Sequence, residues 1–229
     1  MNGPQAALIR HGAYHQLPDV PSALQPFALT AEGEAQAHAC GEDLAALVAN
    51  EGLTPDPVVY CSCQLRAWQT AHIACDVLTS HGHTVEIRQT TALAERSLGS
   101  AANLTVNEIE AVLNADPRFA SPPPGWKSDS NYCLPLQGAE SLMMAGKRVA
   151  QHLRQSIAGK SSGSLTLNFG HGASFRHAAH LLGILSCEDI ARYSMHHAHP
   201  LQIRHNPDGT WAHSGGAWKI RQSKEKVLD

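Results

Sequence analysis

The chain has 229 residues, a net charge of −3 with histidine neutral, and 43% apolar residues. That length can bury a sizeable core, and the mild acidity argues against broad contact with nucleic acid or an anionic membrane, which needs a basic face. No apolar run reaches spanning length and no charged n-region precedes an apolar stretch at the N-terminus, so a cytoplasmic protein is expected.

The apolar run at residues 5–9 reads as a strand. Thr30 is a candidate N-cap for a helix to about residue 50, with Ala37, Cys40, Leu44, Leu47 and Val48 at helical spacing. A short buried strand at 57–60 is followed by a helix over 65–79 that stops at Ser80-His81-Gly82. Residues 84–87 read as a strand and 107–114 as a short helix. Ser121-Pro122-Pro123-Pro124-Gly125-Trp126 can be neither helix nor central strand and reads as a surface loop. A helix over 140–157, a strand over 164–169 and a helix over 173–182 follow. Residues 200–205 and 210–213 form a terminal hairpin turning at Asn206-Pro207-Asp208-Gly209, and the charged tail from Lys219 is expected to fray.

Strands alternating with helices predict an α/β fold, a three-layer α/β/α sandwich with a mostly parallel sheet. No repeat or composition break divides the chain, so residues 1–229 are expected to form one domain with a lid insertion at about 96–137. Trp126 and Tyr132 flank the proline-rich loop, either lining a lid or packing that loop on itself. Cys40, Cys61, Cys63, Cys75, Cys133 and Cys187 include no Cys-x-x-Cys pair and read as reduced, mostly buried thiols.

In such a sheet, ligands gather at the carboxyl ends of strands. The first strand ends in Arg10-His11-Gly12, where an imidazole nucleophile, an anion-holding guanidinium and a permissive glycine stand together. The second runs into Cys61-Ser62-Cys63-Gln64-Leu65-Arg66-Ala67, and a late one into Gly170-His171-Gly172-Ala173 at a helix start. His-Gly alone proves nothing, because His81-Gly82 merely ends a helix. Two planar guanidiniums fit tetrahedral oxyanions, and a helix start adds backbone N–H groups.

With Leu29-Thr30-Ala31-Glu32-Gly33-Glu34-Ala35-Gln36-Ala37, Ser62-Cys63-Gln64-Leu65-Arg66-Ala67-Trp68-Gln69-Thr70-Ala71, Leu93-Ala94-Glu95-Arg96-Ser97-Leu98-Gly99 and Gly138-Ala139-Glu140-Ser141, the chain resembles the histidine phosphatase superfamily, the phosphoglycerate-mutase-like fold. The resemblance implies that His11 attacks phosphorus and becomes phosphohistidine. It implies that Arg10, Arg66 and His171, with Gly172 beside them, bind the phosphoryl oxygens. Glu95 would protonate the leaving oxygen and then take a proton from water. A protonated His171 would add a third positive charge. No metal and no cofactor are implied.

The chain departs from the family pattern in places. Leu17 stands where many members carry asparagine, with His15 and Gln16 as nearby substitutes. Cys63 replaces a proline, and an alanine splits the Gly-Glu-Ser turn. The mutase branch carries Glu-Arg-His-Tyr-Gly, whereas Glu95-Arg96 is followed here by Ser97-Leu98-Gly99. The expectation is therefore a phosphatase acting on a small phosphomonoester; a phosphomutase or a catalytically weak phospholigand-binding protein are the alternatives, and a homodimer stays open. His196, His197 and His199 fit no common zinc spacing and read as a turn near the pocket rim, and Arg176, His177 and His180 as support or surface.

Overall fold

The computed structural model describes residues 3–221. In chain order the elements are β1 (Gln5–Arg10), α1 (Ala31–Glu51), β2 (Thr54–Pro55), β3 (Val58–Ser62), α2 (Leu65–Ser80), β4 (Glu86–Thr90) and α3 (Val106–Ala115). They continue with α4 (Leu142–Ile157), β5 (Ser164–Gly170), α5 (Gly172–Leu181), α6 (Cys187–Arg192), β6 (Tyr193–Met195), β7 (Pro200–His205), β8 (Trp211–Gly215) and β9 (Trp218–Ile220).

The main sheet has the order β4-β3-β5-β1-β7-β8, with β2 added at the start of β5. β1 is parallel to β5 and antiparallel to β7, so the terminal hairpin closes an otherwise parallel sheet. Burial on both faces follows from the pleat of β1. Ala7 and Ile9 pack with Leu44, Val48, Leu78 and Phe169 under α1 and α2. Ala6 and Leu8 pack with Val149, Leu153 and Phe175 under α4 and α5. These are the three layers expected. Gly41 against Val77 and Gly146 against His177 let each helix pair approach at backbone distance.

A third cluster joins Leu98, Ile109, Leu113, Trp126 and Leu134, with Tyr132 at its edge and Ala23 reaching in. The proline-rich segment is thus packed on its own aromatics, and Trp126 is buried with its indole N–H on Glu110. Cys40, Cys61 and Cys75 are buried, Cys133 is half-buried, and Cys63 and Cys187 are exposed, so the thiols are free but less uniformly buried than expected.

Four expectations shift. The 84–87 strand lies at 86–90, because β4 takes its register from β3, Val58 opposite Glu86 through Ser62 opposite Thr90. The helix expected from Glu140 begins at Leu142, because Ser141 is its N-cap, accepting from the Met144 N–H. The short α6, β6 and β9 carry no periodic signal; β6 and β9 exist through their mutual pairing. That pairing places Lys219 and Ile220 in a strand, the Arg221 N–H donates to Arg192 O at 3.0 Å, and the rest of the tail expected to fray, residues 222–229, lies outside the described residues.

Candidate active site

β1, β3 and β5 run parallel and end on one edge, which delivers Arg10, Ser62 and Gly170 side by side. Beyond β1 the chain is held by long-range hydrogen bonds. The His11 N–H donates to Gly170 O at 3.0 Å and the Gly12 N–H to Thr70 Oγ1 at 3.0 Å. The Ala13 N–H donates to Gln36 Oε1 at 2.8 Å, and Ala13 O accepts from the Thr30 N–H at 3.0 Å. Gly12 and Gly33 meet backbone to backbone: a Cβ on Gly33 would sit 1.9 Å from Ala13 O, and one on Gly12 2.5 Å from Gly33 O. On the far side, the Ala198 N–H donates to Arg10 O at 2.8 Å and His197 Nδ1–H to His11 O at 2.8 Å. Ala198 adopts φ 51°, the left-handed turn that aims His197 inward.

His11 is 2% exposed. Its Nδ1 lies 2.8 Å from Gly12 O, and a carbonyl only accepts, so Nδ1 carries the proton and Nε2 the lone pair. Burial, then Arg66, His171, Arg10 and His197, hold its pKa well below the ordinary 6.5. The ring is therefore neutral at neutral pH. Tyr14 packs edge-on at 5.2 Å and His171 lies at 5.2 Å, centroid to centroid.

Arg66, in the first turn of α2, is fully buried and stacks over the Tyr14 ring at 4.6 Å. Burial draws its pKa down to about 10, against the pull of Tyr14 and Glu95, so it stays charged. Its Nη1 donates to Gln25 O, and Nη2 to Ser22 O, Ala23 O and His171 Nδ1. A guanidinium has no acceptor, so His171 Nδ1 accepts and its Nε2–H donates to Ser62 Oγ at 2.9 Å. Burial, Arg66, Arg10 and Arg148 keep His171 well below 6.5. This corrects the expected imidazolium: in this state His171 is neutral, with both nitrogens engaged. Arg10 Nη1 donates to Met195 O at 3.1 Å, and its side chain crosses Gly172, whose missing Cβ would lie 3.3 Å from Arg10 Cδ.

Glu95 is buried and lies against the first turn of α5. Its Oε2 accepts from the Ala173 N–H at 3.1 Å, and its Oε1 from the Ser174 and Arg96 N–H groups at 3.0 and 2.9 Å. The helix-start N–H groups expected to face an anion are thus capped by a carboxylate. Arg148 holds the approach to Glu95 by donating Nη1 to Thr91 O, Ala92 O and Ala94 O. Its other nitrogens pair with Glu140, which also accepts from the Ser97 N–H.

Arg10, His11, Arg66, His171 and Gly172 therefore converge, and Glu95 joins them through α5. Leu17, His15 and Gln16 are exposed, so neither expected substitute reaches the buried cluster. Among the described residues no three histidines, cysteines or carboxylates form a group able to hold a metal. His196 and His199 instead pair at 5.6 Å beside a cavity of about 510 Å³ on the other side of the 196–199 turn, away from His11. Arg176 and His177 are buried supports: Arg176 donates to Ile190 O and Tyr193 O, and His177 donates Nδ1–H to Ala173 O at 2.7 Å and accepts from Ser130 Oγ at Nε2 at 3.0 Å. Thr70, His197, Glu140 and Arg148 were missed as site supports. Thr70 and Glu140 stand inside the quoted motifs and His197 in the turn read as near the pocket rim, so a signal was present for these three; Arg148 acts across 54 to 57 residues and left none.

No helix among the described residues is long and apolar enough to cross a membrane. Residues 6–215 match the family described as "Histidine phosphatase superfamily (branch 1)". A 2,3-bisphosphoglycerate-dependent phosphoglycerate mutase from Bifidobacterium longum (strain DJO10A) is 28% identical over 189 residues, 76% of this chain and 74% of that protein. One from Chelativorans sp. (strain BNC1) is 29% identical, covering 72% and 76%. Among solved structures, a mycobacterial glucosyl-3-phosphoglycerate phosphatase superimposes with TM-score 0.67 at 20% identity, covering 95% of this chain and 98% of the other. A phosphoserine phosphatase from Entamoeba histolytica does so with TM-score 0.67 at 18% identity, covering 96% and 98%. Sequence family, sheet order and the position of Arg10-His11-Gly12 at the sheet edge agree, and the chain belongs to the histidine phosphatase superfamily.

Proposed function

We propose that this protein is a cytoplasmic phosphatase that hydrolyses a small phosphomonoester through phosphohistidine on His11. The observation that carries this reading is the state of His11: a buried, neutral imidazole with Nδ1–H tied to Gly12 O and Nε2 left as the nucleophile, beside two arginines. Phosphoryl transfer asks mainly for positioning and charge stabilisation. Arg10 and Arg66 supply that charge as two guanidiniums matched to phosphoryl oxygens, with His171 and Gly172 alongside.

In this reading Glu95 first takes a proton from solvent as it leaves the α5 N–H groups; Nε2 then forms the P–N bond as the ester P–O bond breaks, and the leaving oxygen takes that proton from the Glu95 carboxyl. Water then attacks phosphorus, Glu95 recovers its proton from that water, the P–N bond breaks and phosphate leaves. Glu95 must release the α5 N–H groups to reach the leaving oxygen, so proton delivery includes a rearrangement of that cap. The 96–137 segment acts as the lid over the substrate.

His11→Ala is expected to keep the fold and to hydrolyse an aryl phosphate no faster than background. Rapid quench of the wild type should trap an acid-labile, base-stable phosphoryl group; an acid-stable ester would place the nucleophile on a hydroxyl instead. Turnover should survive exhaustive chelation with EDTA. The mutase names of the curated relatives favour one second reading, transfer to another substrate hydroxyl. Ser97-Leu98-Gly99 in place of His-Tyr-Gly supports hydrolysis, and removing the acceptor hydroxyl from a candidate substrate separates the two.

A further inference from the structure

If Arg66 grips the substrate phosphate, as the phosphatase reading requires, its Nη groups must be available, and here both donate to carbonyls of residues 22–25. Nη1 donates to Gln25 O at 2.9 Å, and Nη2 to Ser22 O and Ala23 O at 2.9 and 3.0 Å. Arg66 Nε is buried without a hydrogen-bond partner among the described residues. Where this segment meets Glu95, the cavity lined by Pro21, Ala23, Glu95, Arg96, Leu142 and Ala173 measures about 10 Å³, room for about one water-sized sphere. His11, Arg66 and His171 are all buried, and residues 22–25 cover Arg66 directly.

The covering segment runs from Leu17 to Gln25 and is closed on itself. The Leu17 N–H donates to Gln25 Oε1 at 2.9 Å, and Gln25 Nε2 donates to Val20 O and Pro21 O, both at 3.2 Å. Asp19 takes φ 58°, a left-handed bend. Two side chains fasten the loop from outside. Tyr14 Oη lies 2.8 Å from Ser22 Oγ, and Gln64 Nε2 donates to Ala23 O at 2.8 Å. Gln64 Oε1 is buried without a hydrogen-bond partner among the described residues. The closed form therefore holds Arg66 on neutral carbonyl acceptors and leaves a donor and an acceptor unsatisfied. A phosphate dianion is a stronger, fork-matched acceptor for Arg66 than three neutral carbonyls.

We propose that residues 17–25 form a strap that occupies the phosphate subsite when it is empty, its carbonyls standing on Arg66 where phosphoryl oxygens would bind, and that Gln64 is the clasp that sets how readily it opens. An oxyanion displaces the carbonyls and the strap swings outward. Loosening the clasp raises the fraction of open molecules, and apparent affinity rises with that fraction.

Orthovanadate is the probe, with amide hydrogen exchange and inhibition of aryl phosphate hydrolysis as readouts. Saturating vanadate is expected to speed exchange in residues 17–25 of the wild type at least about tenfold while α2 stays protected. Gln64→Leu is expected to speed the same amides without ligand and to bind vanadate about three- to tenfold more tightly, with kcat changed less than KM. Vanadate binding that leaves exchange at 17–25 unchanged overturns the strap, as does a Gln64→Leu protein with unaltered exchange and affinity, or no vanadate binding by either protein. Should Gln64→Leu fail to fold, the wild-type exchange comparison decides alone. Hydrolysis with an immobile strap removes the strap and keeps the phosphatase. Vanadate-driven opening without hydrolysis keeps the strap and removes the phosphatase.

Discussion

Gly12 and Gly33 set how closely the nucleophile's turn approaches α1, and each is glycine because a neighbour's backbone fills the place of its Cβ. Gly33→Ala would put a carbon 1.9 Å from Ala13 O and force the turn away from the helix. Urea unfolding should show a loss of about 3 kcal/mol or more, within the range of severe backbone clashes, with activity falling further than stability explains. His11, Arg66 and His171 were legible because imidazoles and guanidiniums at strand ends have few structural uses. The roles of Thr70 and His197 were not, since each is a hydrogen bond to a residue 58 or 186 positions away.

The end of β4 and the start of α5 meet through one carboxylate. Glu95 closes the exposed N–H groups of Ala173 and Ser174, and the Glu140–Arg148 pair holds the chain that carries it. Glu95→Gln keeps one acceptor oxygen but cannot deliver a proton. A stability loss of about 1 kcal/mol is expected from the weakened cap. A rate loss of about 10²- to 10⁴-fold is expected for an alkyl phosphate, and a smaller one for a nitrophenyl ester whose leaving group needs no proton. Equal losses on both esters would leave Glu95 as a cap alone. Arg148→Met should lower kcat in the same way by freeing residues 91–94, while leaving vanadate affinity within about threefold. The motif around Glu140 marked this element, but its partner in the clasp became visible only when α4 was placed against the 91–94 turn.

Across the molecule, burial leaves a set of histidines that resist protonation. His11, His171 and His152 lie below 6.5, and His177 falls to about 4, each mainly through burial. Unfolded, these histidines titrate near 6.5. Below that pH the unfolded chain binds protons that the native state refuses, so stability is full above about pH 6.5 and declines as pH falls toward the native pKa values. His177 alone accounts for a loss on the order of 3 kcal/mol between pH 6.5 and its native pKa of about 4. Thermal melts followed by circular dichroism should give a Tm several degrees lower at pH 5 than at pH 7.5. A Tm that rises on acidification would contradict the buried neutral state of these rings. The acid limb of the pH–rate profile should also lie below 6.5, since the nucleophile stays unprotonated there.

Apolar periodicity and capping chemistry were enough to read the strand–helix alternation, the layer order it implies and the residues that stand at strand ends, because those signals are local and repeat every two or 3.6 residues. The β4 register and the β6–β9 pair needed the fold, since strand pairing decided them. The same division runs through the site. Its chemical groups are written in short motifs. Their states are not: which nitrogen of His11 carries the proton, why His171 is neutral, and what stands on Arg66 all depend on burial and on partners brought from distant segments. Proton position and electrostatic environment are properties of three-dimensional neighbours, and only the folded chain supplies them.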